Sequence, residues 1–225
     1  MTLRFVSAGA AQGLVAKIAR DTGVEVAGSF GAVGAMLEKF IAGEPCDVVI
    51  LTQAQIGALA VQGAVLAGTA GNLGAAPTAL AVRTGQSIPD VRDESTLRAA
   101  LLAADSIYFP DPARATAGIH FAKALDLLGI REQTAARLKT FPNGTTAMKA
   151  MGEASGHPIG CTQATEILAV PSVRLVAPLP KGFDLATIYT AAVNANAADR
   201  AGAEAFVKKL TGAGAAAARR AAGFE

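Results

Sequence analysis

At 225 residues the chain has room for one large domain or for two lobes of about 100 residues each. Hydrophobic residues make up 52% and charged residues 17%, yet no apolar run approaches the roughly 18 residues of a membrane span, so a chain that is not membrane-embedded is expected. A net charge of +2 from scattered basic residues, no Trp and 5% aromatics exclude the basic footprint and stacking surface of a nucleic-acid binder.

The start, Met1 and Thr2 followed by LRFVS, reads as a core strand and not as a signal peptide, which on its own suggests a cytoplasmic chain and leaves the compartment open. Leu3 to Ser7 is that strand. Ala8-Gly9-Ala10 then opens a helix with a stripe of Ala11, Leu14, Val15 and Ile18, closed by Gly23, and Val24 to Ala27 is expected to be the next strand.

The stretch GSFGAVGAMLEKFIAGEPCDVVIL, Gly28 to Leu51, reads as a glycine-punctuated loop over Ser29 to Gly34, an amphipathic helix and a buried strand. Its helix carries Val33, Met36, Leu37 and Phe40 on one side and Glu38 and Lys39 on the other, and Gly43 and Pro45 end it. Small residues before a helix N-terminus let backbone N–H groups approach a bound anion, so this loop is a candidate cradle.

A short helix, Gln53 to Gln62, comes next, then a Gly/Ala-rich passage, Gly63 to Ala76, without a period and expected to wander over the surface. Thr78 to Arg83 is a strand, Asp93 caps a helix through Leu102, and Ile107 to Phe109 is a strand. PDPARATAG, Pro110 to Gly118, forms a second cradle before a helix bearing Ile119, Ala122 and Leu125. FPNGTTA, Phe141 to Ala147, opens another helix, and PIGCTQATEIL, Pro158 to Leu168, runs from strand directly into helix. Val173 to Ala177 and Thr187 to Val193 are strands, and from Ala197 onward the chain is helical with Phe206, Leu210 and Phe224 as anchors. Strand ends feeding helix starts are where α/β sheets bind ligands.

Cys46 and Cys161 lie in apolar stretches, have no histidine at metal-ligand spacing and read as buried thiols. No metal and no cofactor is expected. His120 falls in the first turn of its helix and is the candidate acid/base, with Glu166 and Asp111 as further options; His157 reads as surface. There is no ordered Ser/His/Asp set and no phosphate-binding glycine loop of the nucleotide type.

Four blocks in order, LRFVSAGAAQGLVAKIA, GSFGAVGAMLEKFIAGEPCDVVIL, PDPARATAGIHFAKALDLLGI and AEAFVKKLTGAGAAAARRAAGFE, together resemble the solute-binding proteins of molybdate-type ABC transporters across nearly the whole chain. The resemblance implies a two-lobed type II periplasmic-binding-protein fold, each lobe a mixed sheet flanked by helices, joined by two crossover strands. Residues 1–79 with 186–225 would form lobe I and 80–185 lobe II, with ligand held in the interlobe cleft. It also implies a periplasmic monomer, a small anionic ligand and an ABC transporter permease as partner.

The ligand-contacting set expected from this pattern is Ser7, Ala10 and Gln12 in the first loop, Gly31, Ala32 and Val33 in the second, Arg114, Thr116, Ala117 and Gly118 in the third, and Thr145 and Gln163 beyond. Molybdate binders of the family place serines near Ala10 and near Ala32 or Val33, and a tyrosine near Gln163, so this chain departs from them in side-chain donors. That departure favours a small organic carboxylate over molybdate. Asn143, Thr146 and the other threonines supply neutral donors, and Arg114 can fork onto a carboxylate. Two further readings stay open: an aconitate isomerase-like enzyme on the same scaffold, and a stand-alone sensory domain related to the effector domains of LysR-type regulators. The absence of a helix-turn-helix before Met1 counts against the last.

Overall fold

The computed structural model describes Thr2–Glu225; Met1, on which the reading of a leaderless start falls, lies outside the described residues. The chain divides into two compact units, one holding the chain up to Ala76 together with Thr187–Glu225, the other Pro77–Ala186.

In the first unit, β1 (Leu3–Ala8) lies between two parallel strands, β2 (Val26–Gly31) and β3 (Val48–Thr52), and its apolar side chains are buried among those of the helices packed on the sheet. Antiparallel to β3 runs β9 (Ala186–Val193). A 3-10 turn, Gly9–Ala11, leads into α1 (Gln12–Thr22), whose Leu14, Val15 and Ile18 are buried and which Gly23 ends at φ 67°. After β2 comes α2 (Val33–Ile41), burying Val33 and Met36, and after β3 comes α3 (Gln53–Val61). The end of the unit is α9 (Arg200–Thr211), a 3-10 turn and α10 (Ala216–Ala221), and then Phe224, buried against the ring of Tyr189. Glu225 and Ala75 exchange backbone hydrogen bonds.

The Asp of the GEPCD turn has a structural role. Buried Asp47 accepts the backbone N–H of Arg4 at 2.8 Å and that of Asp199 at 3.1 Å, tying β3 to the start of β1 and to the cap of α9. Asp199 in turn caps α9 by accepting from Gly202.

Two expectations need correction in this unit. The second strand is Val26–Gly31 and not Val24 to Ala27, so Ser29 to Gly31 of the expected glycine loop belong to the sheet. The cause is Gly28, at φ 138° with the backbone of Phe5 where a Cβ would stand: glycine here serves close strand approach and not a loop. The passage Gly63 to Ala76 holds a 3-10 turn, Ala67–Thr69, and the first residues of β4 (Gly71–Arg83). Its Gly and Ala residues have weak strand propensity, which burial of Leu73 and Ala76 overrides.

The second unit is built on a mixed sheet in the order β8 (Val173–Pro178), β4, β7 (Ile159–Gln163), β5 (Ile107–Pro110), β6 (Leu138–Phe141). The contacts of β4 with β7 and β8 are antiparallel, whereas β5 runs parallel to both β6 and β7. One face carries Leu80, Val82, Ile107, Phe109, Ile159 and Cys161, packed with α4 (Glu94–Ala103) through Leu97 and Leu101 and with α5 (Thr116–Leu127) through Phe121 and Leu125. The other face, Ala79 and Ala81, packs with α7 (Gly144–Gly152) through Met148 and Met151 and with α8 (Ala164–Leu168) through Ile167. The strand β6 and the short α6 (Arg131–Thr134) have no periodicity that announces them.

Both cysteines are free and buried, as expected. Burial pushes the Cys46 thiol up to about 11, against the lowering effect of the Asn194 amide that bonds it, and pushes Cys161 well above its ordinary value.

Candidate anion site

The first turn of an α-helix holds N–H groups with no partner in the helix, and an N-cap side chain normally accepts one of them. Among the described residues, α3, α4, α7 and α9 are closed in this way by Thr52, Asp93, Asn143 and Asp199. The other three helices of nine residues or more, α1, α2 and α5, have alanine at the N-cap, Ala11, Ala32 and Ala115, and no side-chain cap. Replacing a capping residue by alanine typically costs about 1 kcal/mol, so three such starts are a systematic feature.

All three follow the carboxyl ends of strands in parallel pairs. In the first unit Ala8, at the end of β1, is the register partner of Gly31, at the end of β2, so the approaches to α1 and α2 lie side by side. Within them Ser7 is fully buried and donates its hydroxyl to the Ala8 carbonyl at 3.0 Å. Ala10 is buried in the 3-10 turn, Gln12 is the exposed first residue of α1, and Gly31, Ala32 and Val33 are buried at the entry to α2.

In the second unit Pro110 and Phe141 end β5 and β6 as register partners. The loop to α5 is closed by Asp111, whose carboxylate accepts the Ala113 N–H at 2.7 Å; Arg114 is exposed, and Thr116, Ala117 and Gly118 form the first turn of α5. A Cβ on Gly118 would strike the carbonyls of Pro110 and Asp111, so glycine is what lets the helix start sit on the end of β5. Gln163 is buried at the end of β7. Six of the expected residues lie in the first unit and six in the second.

Thr145 lies in the first turn of α7, where the structure shows what spacing did not. Buried Glu166 accepts the Gly144 N–H at 3.2 Å and the Thr162 hydroxyl at 2.6 Å, with further bonds from the backbones of Thr145 and Gln163. Asn143 takes the Thr146 N–H. The start of α7 is therefore occupied by the protein's own carboxylate. Desolvation raises the Glu166 pKa, opposed by these hydrogen bonds. Of the other acid/base candidates, the His120 Nε2 lies 2.6 Å from the Phe183 carbonyl, which fixes its ring as a donor there, and Asp111 holds its own loop.

Among the described residues no group of three or more His, Cys, Asp or Glu is placed to hold a metal ion, and no helix is long and apolar enough to cross a membrane.

Two α/β units with mixed sheets, helix starts at their strand ends and two crossings of the chain make this the two-lobed type II periplasmic-binding-protein fold. Residues 3–225 match the family model described as bacterial extracellular solute-binding protein, and the chain belongs to that family, as a divergent member. Among solved structures, it is similar to the Azotobacter vinelandii periplasmic molybdate-binding protein, with a TM-score of 0.76, 22% identity and coverage of 99% of this chain and 98% of that one. The sulfate-binding protein of Mycobacterium tuberculosis H37Rv superposes with a TM-score of 0.71 at 19% identity, over 100% of this chain and 86% of that one. Among curated proteins, an aconitate isomerase of Pseudomonas sp is 27% identical over 203 residues, 85% of this chain and 75% of that protein.

Proposed function

We propose that this solute-binding protein captures a small organic anion, a carboxylate in preference to molybdate, on the open helix starts of α1, α2 and α5, and hands it to an ABC transporter permease. The observation that carries the reading is the alanine at each start, Ala8 before the 3-10 turn that runs into α1, Ala32 before α2 and Ala115 before α5, which leaves oriented N–H groups for an acceptor brought from outside. Each hydrogen bond to a charged acceptor contributes roughly 1.5–3 kcal/mol. At Ala10, Ala32 and Val33 no hydroxyl is available to an oxyanion, and Ser7 is already bonded to the Ala8 carbonyl. Such a surface suits a ligand with a carbon skeleton. Capture in an interlobe cleft with hinge closure, a monomeric state and a periplasmic location belong to the same reading. A thermal-shift panel of molybdate, tungstate, sulfate, citrate, the aconitate isomers and aromatic carboxylates tests it: stabilisation by at least one carboxylate is expected, and a shift by molybdate with none by any carboxylate would sink it.

The 27% identity to an aconitate isomerase favours a second reading, isomerisation of a tricarboxylate on the same scaffold. It requires a base beside the ligand, and His120 on α5 is the candidate. Incubation with trans-aconitate, followed by ultraviolet absorbance, separates the two. Turnover lost in His120→Ala would establish the enzyme; no turnover by the native chain would remove it.

A further inference from the structure

In the second unit, Leu80 of β4 and Cys161 of β7 are register partners and pack with Phe121 of α5. Two residues further along the same face stand Thr78 and Gln163, again register partners. That step is about 6–7 Å along the strands, and so is the step back from Phe121 to the first turn of α5, at 1.5 Å per residue. Directly opposed residues of an antiparallel pair share a face, with Cβ atoms roughly 5 Å apart. Thr78 and Gln163 therefore stand beside each other, level with the open start of α5.

Thr78 is fully buried, and its hydroxyl has no hydrogen-bond partner. Its main chain is satisfied: the N–H donates to Leu185 at 2.7 Å and the carbonyl accepts from Leu179 at 3.0 Å. The hydroxyl alone is left over. By contrast the buried hydroxyls of Thr134, Thr162 and Thr190 bond Ile130, Glu166 and Asn72. Thr165, 5% exposed and two residues past Gln163, is likewise without a hydroxyl partner. A buried hydroxyl left unbonded is destabilising, and proteins place such groups where something else completes them.

We propose that Thr78, with Gln163 beside it, is a neutral hydrogen-bonding subsite next to the α5 start, and that the ligand is a carboxylate bearing a hydroxyl group. The inference rests on the carboxylate reading above and deepens it. The carboxylate of the ligand takes the uncapped N–H groups of α5, and its hydroxyl meets the Thr78 hydroxyl and the Gln163 side chain.

Calorimetric titration of two matched pairs, malate against succinate and citrate against tricarballylate, tests the subsite on the full chain. The native protein is expected to bind the hydroxylated member of at least one pair about tenfold more tightly. The near-isosteric Thr78→Val should lose that preference, with a melting temperature no lower than the native one. Thr78→Ser should keep the preference. Equal affinity for both members in the native protein overturns the proposal, as does a preference that survives in Thr78→Val, since the hydroxyl would then serve an internal water only. Binding of succinate or tricarballylate without preference overturns the subsite and keeps the carboxylate reading; binding of no carboxylate at all overturns both.

Discussion

The Glu166 carboxylate stands where a Cβ on Gly144 would have to be, so the first residue of α7 and the buried acid of α8 are fitted to one another. Gly144→Ala is expected to push Glu166 and Thr162 apart and loosen the start of α7, with a cost of roughly 3 kcal/mol, the upper range for overpacking. Chemical denaturation of the variant against the native chain measures it, and a loss below about 0.5 kcal/mol would contradict the fit.

Glu166 also sets a pH dependence. Its carboxyl is raised above the ordinary value by desolvation, so the folded chain holds this proton at pH values where the unfolded chain has released it. The stabilisation is therefore present below the unfolded pKa and is lost as pH rises through the folded one. Native stability should fall over that interval relative to Glu166→Gln, which has no proton to release. Parallel slopes for the two proteins in denaturation at a series of pH values would refute the assignment.

Asp47 predicts a different kind of defect. Asp47→Ala leaves the Arg4 and Asp199 N–H groups without their charged acceptor, and about 3 kcal/mol or more should be lost. Asp47→Asn keeps a carbonyl oxygen and should lose less. Hydrogen exchange at Arg4 and Asp199 reports the two sites individually.

The open start of α2 makes a prediction of opposite sign for stability and binding. Ala32 has extended N-cap geometry, φ −58° and ψ 137°, so Ala32→Ser can cap the helix and should stabilise the ligand-free protein by about 1 kcal/mol. The new hydroxyl competes for the same N–H groups, so affinity for the best carboxylate of the panel should fall several-fold. A serine that stabilises the chain and leaves that affinity unchanged would take α2 out of the site.

Much of the fold was legible because apolar periodicity is written in the residues. The stripe Leu14, Val15, Ile18 on α1, the Asp93 cap of α4 and the strand-into-helix run of β7 and α8 all stand where spacing puts them. The misread stretches are those where small residues serve tertiary approach: Gly28 against Phe5, and the Gly/Ala start of β4. At the candidate site, which residues stand at strand ends and helix starts was readable, and what fills each start was not. Thr145 sits in a helix start as its sequence suggests, but that start is filled by Glu166, which is 21 residues further along and carries no signal of where its carboxylate turns. The hydroxyl of Thr78 was equally silent, because an unbonded group is visible only once every neighbour is placed.

The two buried thiols have a practical consequence. At neutral pH, Cys46 holds about a hundredfold less thiolate than a cysteine at its ordinary value, and Cys161 is suppressed by its complete burial. The native chain is thus a quiet background for maleimide labelling. A single cysteine introduced on an exposed helix, at Lys123 for instance, would take a fluorophore selectively, turning the protein into its own reporter of which solutes it takes up.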